Sequence, residues 1–263
     1  MPASTVYNWV TRRHSPFGSF HNANLSPSSS LSYLAGAFVG DGSIIRTSSY
    51  HYELRFRVRD RDFAESVRDC LGAVLDKPLP VRIDPKGFYT LRLSSRLIFD
   101  YLSSLDSISQ TADQFPRDFI RGFADAEGSP AISVSGSQTP MLGFYIILVN
   151  TDLEILTYVR SLLWRRLGIR SLIILGKRHC GSMWSKLPCY YLKVGRREDQ
   201  RRYASLVGFG MRRKQLKMMV ALSLLDRLGP SKGAVQWQKL FEKRGRIWVR
   251  RVLGENDGAP DEI

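Results

Sequence analysis

Two short stretches of this sequence say nearly the same thing, and each ends in a carboxylate. Leu34-Ala-Gly-Ala-Phe-Val-Gly-Asp41-Gly-Ser43 and Ile120-Arg-Gly-Phe-Ala-Asp-Ala-Glu127-Gly-Ser129 align without gaps. They share Gly36 and Gly122, an acid at Asp41 and Glu127, then Gly42 and Gly128, then Ser43 and Ser129. The offset is a constant 86 residues (127 − 41, and equally 122 − 36). Gly36 and Gly40 stand four apart, as do Gly122 and Ala126, so each pair lies on one face of a helix and lets a second helix approach unusually closely. If the two motif helices meet through those faces, Asp41 and Glu127 come together, and like charges at short range are costly without a cation between them. Hard carboxylate oxygens suit Mg²⁺, and such sites stabilise the attacking and leaving oxygens of a phosphodiester. The chemistry expected is metal-dependent cutting of nucleic acid. Either motif alone reads as no more than a glycine-rich helix end; the repeat gives the pair its meaning.

Matching elements must position the two acids. In the first half Ser32 is placed to cap a helix over 33–41, with Gly42 as its C-terminal cap. Strands follow at 43–46 and 52–59, separated by a polar turn at Thr47-Ser-Ser49. A helix spans 60–71 with Phe63, Val67, Cys70 and Leu71 on one face and Gly72 just past its end. Strands at 81–83 and 89–93 flank Pro85-Lys-Gly87, a hairpin signal, and a helix over 96–102 closes the half. The second half repeats this pattern: a motif helix over 116–127 with Pro116 in its first turn, strands at 131–135 and 143–149, and a helix opened by Asn150-Thr-Asp152 and ended by Gly168. Strands at 171–175 and 190–194 and helices at 198–207 and 212–228 complete it, the last ended by Gly229-Pro230. Each half therefore reads αββαββα, an α+β pattern that fits neither a doubly wound sheet nor a barrel. The organisation expected is a basic N-terminal arm (1–30), a first half (31–110), a second half (111–229) and a C-terminal extension (230–263), the last with one basic amphipathic stretch over 235–252.

The charge says what the partner is. The chain of 263 residues carries a formal net charge of +15 with a pI near 10.0, and 29 of its 39 basic residues are Arg. Arg makes forked contacts to phosphate and to guanine edges, so the composition asks for a polyanion. In Leu54-Arg-Phe-Arg-Val-Arg59 the apolar residues point one way and Arg55, Arg57 and Arg59 the other. The same alternation places Arg82 and Arg92 on strand faces, with Arg46 on the preceding strand. A merely solvated face would mix in acids, and only Glu53 interrupts this one. The sheet is expected to track phosphates and read bases; Lys177, Arg178, Lys193 and Arg196 are the less regular counterparts in the second half.

Other classes drop out. Cys70, Cys180 and Cys189 show no paired spacing, which argues against a disulfide scaffold or a zinc ribbon and for a reducing compartment. No apolar run is long enough to span a bilayer, so no membrane partner is expected. The four His (14, 21, 51 and 179) form no nuclease motif of the HNH type. The first 40 residues contain no Asp or Glu and include Arg12, Arg13 and a Ser-rich run. They read as a flexible arm in a cytoplasmic protein of an archaeal or bacterial-type host, the alternative being an organellar transit peptide.

From Leu31 to Gly229, through both motifs, the Gly-Ser step after each acid, Asn150-Thr-Asp-Leu-Glu-Ile-Leu156 and Leu167-Gly-Ile169, the sequence resembles the LAGLIDADG homing endonucleases, specifically the monomeric kind with two motif copies. The resemblance implies two pseudo-twofold-related halves with saddle-shaped antiparallel sheets and the motif helices packed at the centre. It implies that Asp41 and Glu127 bind Mg²⁺ (Mn²⁺ as a substitute), helped by the backbone carbonyls of Gly40 and Ala126. The implied partner is a long asymmetric double-stranded DNA site, cut to leave 3′ overhangs, with the gene carried by a mobile intron. Intron RNA is a further partner under the rival maturase reading; a DNA-binding protein without nuclease activity is the other rival. The sixth motif position, often Asp, is Val39 in the first copy and Asp125 in the second; it is not the metal ligand. The family's basic helper near each half's last strand corresponds here to Arg96, and to Lys193 or Arg196. Arg cannot act as a general base, so its help is electrostatic.

Overall fold

The computed structural model describes residues 23–46, 52–176, 187–245 and 247–251. Lys177, Arg178, Cys180, the turn at 47–49 and most of the N-terminal arm lie outside the described residues. The chain divides into two compact units, Met1–Phe123 and Ala124–Ile263.

The first unit opens with α1 (Ser29–Asp41), which runs straight into β1 (Gly42–Arg46). β2 (Tyr52–Val58), α2 (Arg61–Leu75), β3 (Arg82–Ile83), β4 (Tyr89–Ser94), α3 (Arg96–Ser103) and α4 (Leu105–Gln114) follow, and then most of α5 (Pro116–Glu127). The four strands form one antiparallel sheet in the order β1-β2-β4-β3. Period-2 alternation sends Leu54, Phe56, Val58, Leu91 and Leu93 to the buried face. There Phe56 meets Phe63 of α2 edge-on at 5.0 Å and Phe38 of α1 at 5.8 Å.

Three local expectations are corrected. Ser28, not Ser32, caps α1 by accepting the Leu31 N–H. Ser32 is fully buried, and its hydroxyl donates to the Phe115 carbonyl at 2.8 Å, tying α1 to the start of α5. Gly42 is extended (φ −81°), so it serves no left-handed cap; a Cβ there would lie 2.6 Å from Cγ of Phe38. Helix α2 does not stop at Gly72, because Val74 and Leu75 are buried and the left-handed position falls to Asp76 (φ 49°). α4 had no sequence counterpart: its buried face is Ile108, Thr111 and Ala112, too small and polar to stand out as an amphipathic stripe.

The second unit holds the end of α5, then β5 (Gly128–Ser135), β6 (Met141–Asn150), α6 (Leu153–Leu167), β7 (Leu172–Leu175) and β8 (Tyr190–Val194). Its sheet order, β5-β6-β8-β7, repeats the first one strand for strand. α6 behaves as the sequence predicts: Asp152 caps the N–H groups of Glu154 and Ile155, and Gly168 takes the left-handed position (φ 64°). α7 (Arg197–Leu206) and α8 (Arg212–Leu240) follow. Gly229 (φ 72°, ψ 179°) breaks α8 as expected, yet the helix resumes at Pro230, whose missing N–H costs nothing in a first turn. The stretch 235–252 is consequently not one amphipathic helix: it ends α8 and continues as the hairpin β9 (Phe241–Arg244) and β10 (Ile247–Arg250).

That hairpin is anchored by aromatic packing. Trp237, fully buried, stacks on Phe241 at 4.0 Å and meets Trp248 edge-on, while the Trp248 indole N–H donates to the Ile132 carbonyl of β5. The cysteine expectation fails at one position. Cys189 is disulfide-bonded, whereas Cys70 is a free thiol pushed up to about 12 by burial. Among the described residues no helix is long and apolar enough to cross a membrane. Trp237→Ala is expected to lower stability by about 3–5 kcal/mol, read as a shift in the midpoint of chemical denaturation, with the hairpin losing its protection from proteolysis.

Candidate metal ligands and nucleic-acid interface

The two motif glycines sit where the sequence demanded close approach. A Cβ on Gly36 would collide with the Phe119 carbonyl and lie 2.9 Å from the Phe123 amide nitrogen. A Cβ on Gly122 would collide with the Tyr33 carbonyl and lie 2.9 Å from the Ala37 amide nitrogen. Each glycine thus faces the residues three before and one after the other, so the contact between α1 and α5 is reciprocal and only hydrogen fits on either side. Each acid lies five residues beyond its glycine (41 − 36 and 127 − 122). Asp41 is exposed and Glu127 half-buried. Both stand in the last turn of a helix, whose terminal carbonyls lack intrahelical donors. The donor set at each helix end, one carboxylate and adjacent backbone carbonyls at Gly40 or Ala126, is all hard oxygen and fits Mg²⁺ or Mn²⁺.

Glu127 is held by a residue the sequence offered only as part of a helix cap. Asn150 donates Nδ2–H to Glu127 Oε1 at 3.2 Å, and Asn150 Oδ1 accepts the Asp152 N–H at 2.9 Å. The amide is therefore locked in one orientation, and it orients the carboxylate. Asp125 is almost fully buried and accepts from the backbone N–H groups of Gly210 and Met211. Lys214, also buried, donates Nζ to the carbonyls of Ala124 (3.2 Å) and Asp125 (2.6 Å). A cation on the last carbonyls of a helix is favourable, so this pair ties the start of α8 to the end of α5. No spacing rule connects residues 125 and 214, which is why only the fold reveals Lys214.

The exposed face of the first sheet carries the arginines. Register aligns Ser43, Arg55 and Arg92 across β1, β2 and β4, and Arg57, Thr90 and Arg82 across β2, β4 and β3. Arg55 and Arg92 stand directly opposite each other, an unfavourable cross-strand pair. Glu53 moderates it, reaching Arg55 at 3.1 Å and Arg92 at 4.0 Å. Arg57 lies over the Phe88 ring at 3.6 Å and pairs with Asp84 at 2.7 Å, and Arg59 lies 5.0 Å from the same ring. The Phe88 N–H, then Arg57, hold the Asp84 carboxyl below the usual carboxylate range. Arg46 and Arg96 both approach the Tyr52 ring, at 5.6 and 5.7 Å. Arginines held beside aromatic rings are less free to move and favour contacts to phosphate or base edges.

In the second unit Lys193 projects from β8 over the Tyr145 ring at 3.4 Å, and Arg196 is the N-cap residue of α7. By sheet register the counterpart of Arg92 is Lys193, since Arg55 pairs with Arg92 and Ile147 with Lys193. Arg96 opens α3 and its counterpart, Arg197, opens α7. Arg197 is turned inward: it donates to Gln200 at 3.0 Å and approaches Asp226 at 3.9 Å, and desolvation lowers its pKa. The equivalent arginines at 96 and 197 therefore differ in exposure and pairing.

Residues 114–208 match the family model of the LAGLIDADG-like domain. The match spans the second motif helix and the second sheet, and the architecture, two four-stranded antiparallel sheets with their helices, is α+β. It is similar to an uncharacterized protein of Methanocaldococcus jannaschii, MJ0398, with 29% identity over 238 residues, 85% of this chain and 83% of that one. Its fold is similar to those of the meganuclease I-SmaMI bound to uncleaveable DNA (TM-score 0.53, 11% identity, 83% of this chain and 96% of that one). It is also similar to that of I-AabMI bound to uncleaved DNA (TM-score 0.51, 14% identity, 78% and 94%).

Gly36→Ala should destabilise the first unit by about 1–3 kcal/mol, because the new methyl meets backbone that cannot move aside; thermal unfolding measures it. Asn150→Ala should leave the melting temperature nearly unchanged while freeing the Glu127 carboxylate to reorient, seen as altered divalent-metal affinity in calorimetric titration.

Proposed function

We propose that this protein is a site-specific double-strand DNA endonuclease of the homing type, acting as a monomer on a long asymmetric site. The observation that carries the reading is the repeat of one device: a motif helix ending in an acid and leading at once into a four-stranded antiparallel sheet of identical strand order. The arginine-covered face of the first sheet supports duplex DNA as the substrate. The meganucleases of similar fold, which are described in complex with DNA, support it further.

Asp41 and Glu127 are the proposed ligands of Mg²⁺, with Mn²⁺ as a substitute, assisted by the carbonyls of Gly40 and Ala126. When bound, the ion supplies Lewis acidity at the phosphate and lowers the pKa of a coordinated water. The chain's own residues do the rest. Asn150 fixes the Glu127 carboxylate, Arg55, Arg57, Arg59, Arg82 and Arg92 grip the backbone and read base edges, and Arg46 extends that grip. Arg96, Lys193 and Arg196 stabilise developing negative charge on the phosphate electrostatically. Cleavage leaving 3′ overhangs and carriage of the gene by a mobile intron complete the proposal. Lys177 and Arg178 belong to the same DNA-contacting set.

The test is cleavage of a randomised-duplex plasmid library by the full chain with Mg²⁺. Linear products with uniform ends are expected. Asp41→Asn and Glu127→Gln should each abolish cutting while retaining binding, and full cleavage by either variant would refute the assignment. Binding without metal-dependent cutting by the unaltered chain would favour a non-catalytic DNA- or RNA-binding protein. Arg92→Ala should weaken binding and reduce the salt slope by about one.

A further inference from the structure

The two sheets share a topology and differ in chemistry. Counting from the equivalent serines, Ser43 pairs with Arg55 and Ser129 with Ile147. Two residues along, the row Arg57, Thr90, Arg82 corresponds to Val149, Tyr191, Ile174. Three arginines of the first sheet, at 55, 57 and 82, are thus replaced by Ile147, Val149 and Ile174, and Glu53 by Tyr145. Of this set only Arg92 keeps a cation, as Lys193. The apolar residues are not covered at the sheet's edge: Leu172 is 64% and Ile174 46% exposed. They open into a groove of about 750 Å³ that also takes in Tyr145 and the half-exposed Trp164. Arg160, Arg165, Arg170, Lys193 and Arg196 line the same groove, and among the described residues no acid does. Exposed apolar side chains gathered in one groove are candidates for a contact site. The surrounding cations say that what covers it is polyanionic and carries apolar groups.

We propose that the two sheets read chemically different half-sites: the second reads a thymine-rich half through its apolar row, and the first a guanine-rich half through its arginines. The occupant of the second face is the major groove of duplex DNA. There the thymine C5-methyl is the one apolar group a base presents, whereas Arg makes paired hydrogen bonds to guanine O6 and N7. Arg160, Arg165, Arg170 and Arg196 take the flanking phosphates, and Lys193 stands within the apolar row. The inference rests on the endonuclease reading for its substrate.

The experiment enriches bound duplexes from a randomised library with the full chain, then with Ile174→Arg and with Arg82→Ala. Both positions are exposed, so the variants are expected to fold. Ile174→Arg should move one half of the preferred site from thymine toward guanine, and Arg82→Ala should relax guanine preference in the other half only. Replacing thymine by deoxyuridine in the first of these halves deletes the methyl groups and should weaken binding about three- to fourfold per position; in the other half it should change little. A defined site that tolerates deoxyuridine throughout, or an unchanged preference in Ile174→Arg, overturns the inference while leaving the endonuclease reading standing. The second outcome would mean that the apolar face is covered by something other than DNA. Failure to enrich any duplex would instead sink the endonuclease reading itself.

Discussion

The first unit depends on the distance between two helices being set by hydrogen atoms. At Gly36 and Gly122 the backbone of one helix meets the backbone of the other, with no room for a methyl group on either side. Because the contact is reciprocal, it fixes the two helices against sliding as well as against separating. Tyr33, Phe119 and Phe123 pack around it with almost no solvent exposure. The same steric economy recurs after each acid. A Cβ at Gly42 would crowd Phe38, and one at Gly128 would crowd Leu148 and the Ala124 carbonyl, so at both places the chain turns from helix into strand within one residue. The small residues of the repeated motif are read as backbone contacts and abrupt exits, and the acids stand at those exits.

Electrostatics divides the molecule into charges that are settled and charges that are not. Asp125 and Lys214 are buried and hydrogen-bonded to backbone, the arrangement that makes buried charge tolerable. Arg201 and Asp226 satisfy each other through two hydrogen bonds. On the first sheet, by contrast, Arg55 and Arg92 confront each other with Glu53 between them. A protein selected only for stability would not place like charges directly opposite across strands. A surface that meets phosphates gains from the same arrangement.

The repeat preserved the backbone and released the side chains. The strand orders match, the register from each post-acid serine matches, and the buried rows remain apolar on both sides, with Leu54 and Phe56 answered by Ile146 and Leu148. Burial leaves few choices for an inward residue, while an outward residue on a solvated face is constrained only by what it touches. The divergence of the outward rows, arginine in one unit and branched apolar residues in the other, is consequently where the two units differ in surface chemistry.

The sequence by itself determined the repeated motifs, the acid ending each motif helix, the strand alternation in 54–59 and the caps of α6, because each is a local pattern of period, small residues or turn chemistry. It missed where burial overrode local signals. Gly72 lies inside α2 because Val74 and Leu75 are pulled into the core, Ser32 is a buried donor rather than a cap, and α4 lacks an apolar stripe. It also missed the polar and covalent partnerships between distant residues: Asn150 on Glu127, Lys214 on the end of α5, and the disulfide at Cys189. Only the tertiary structure decided these, since hydrogen bonds spanning tens of residues leave no periodic trace in the chain. The pairing of strands was likewise beyond the sequence, and it was register that revealed Ile147, Val149 and Ile174 in the places of Arg55, Arg57 and Arg82.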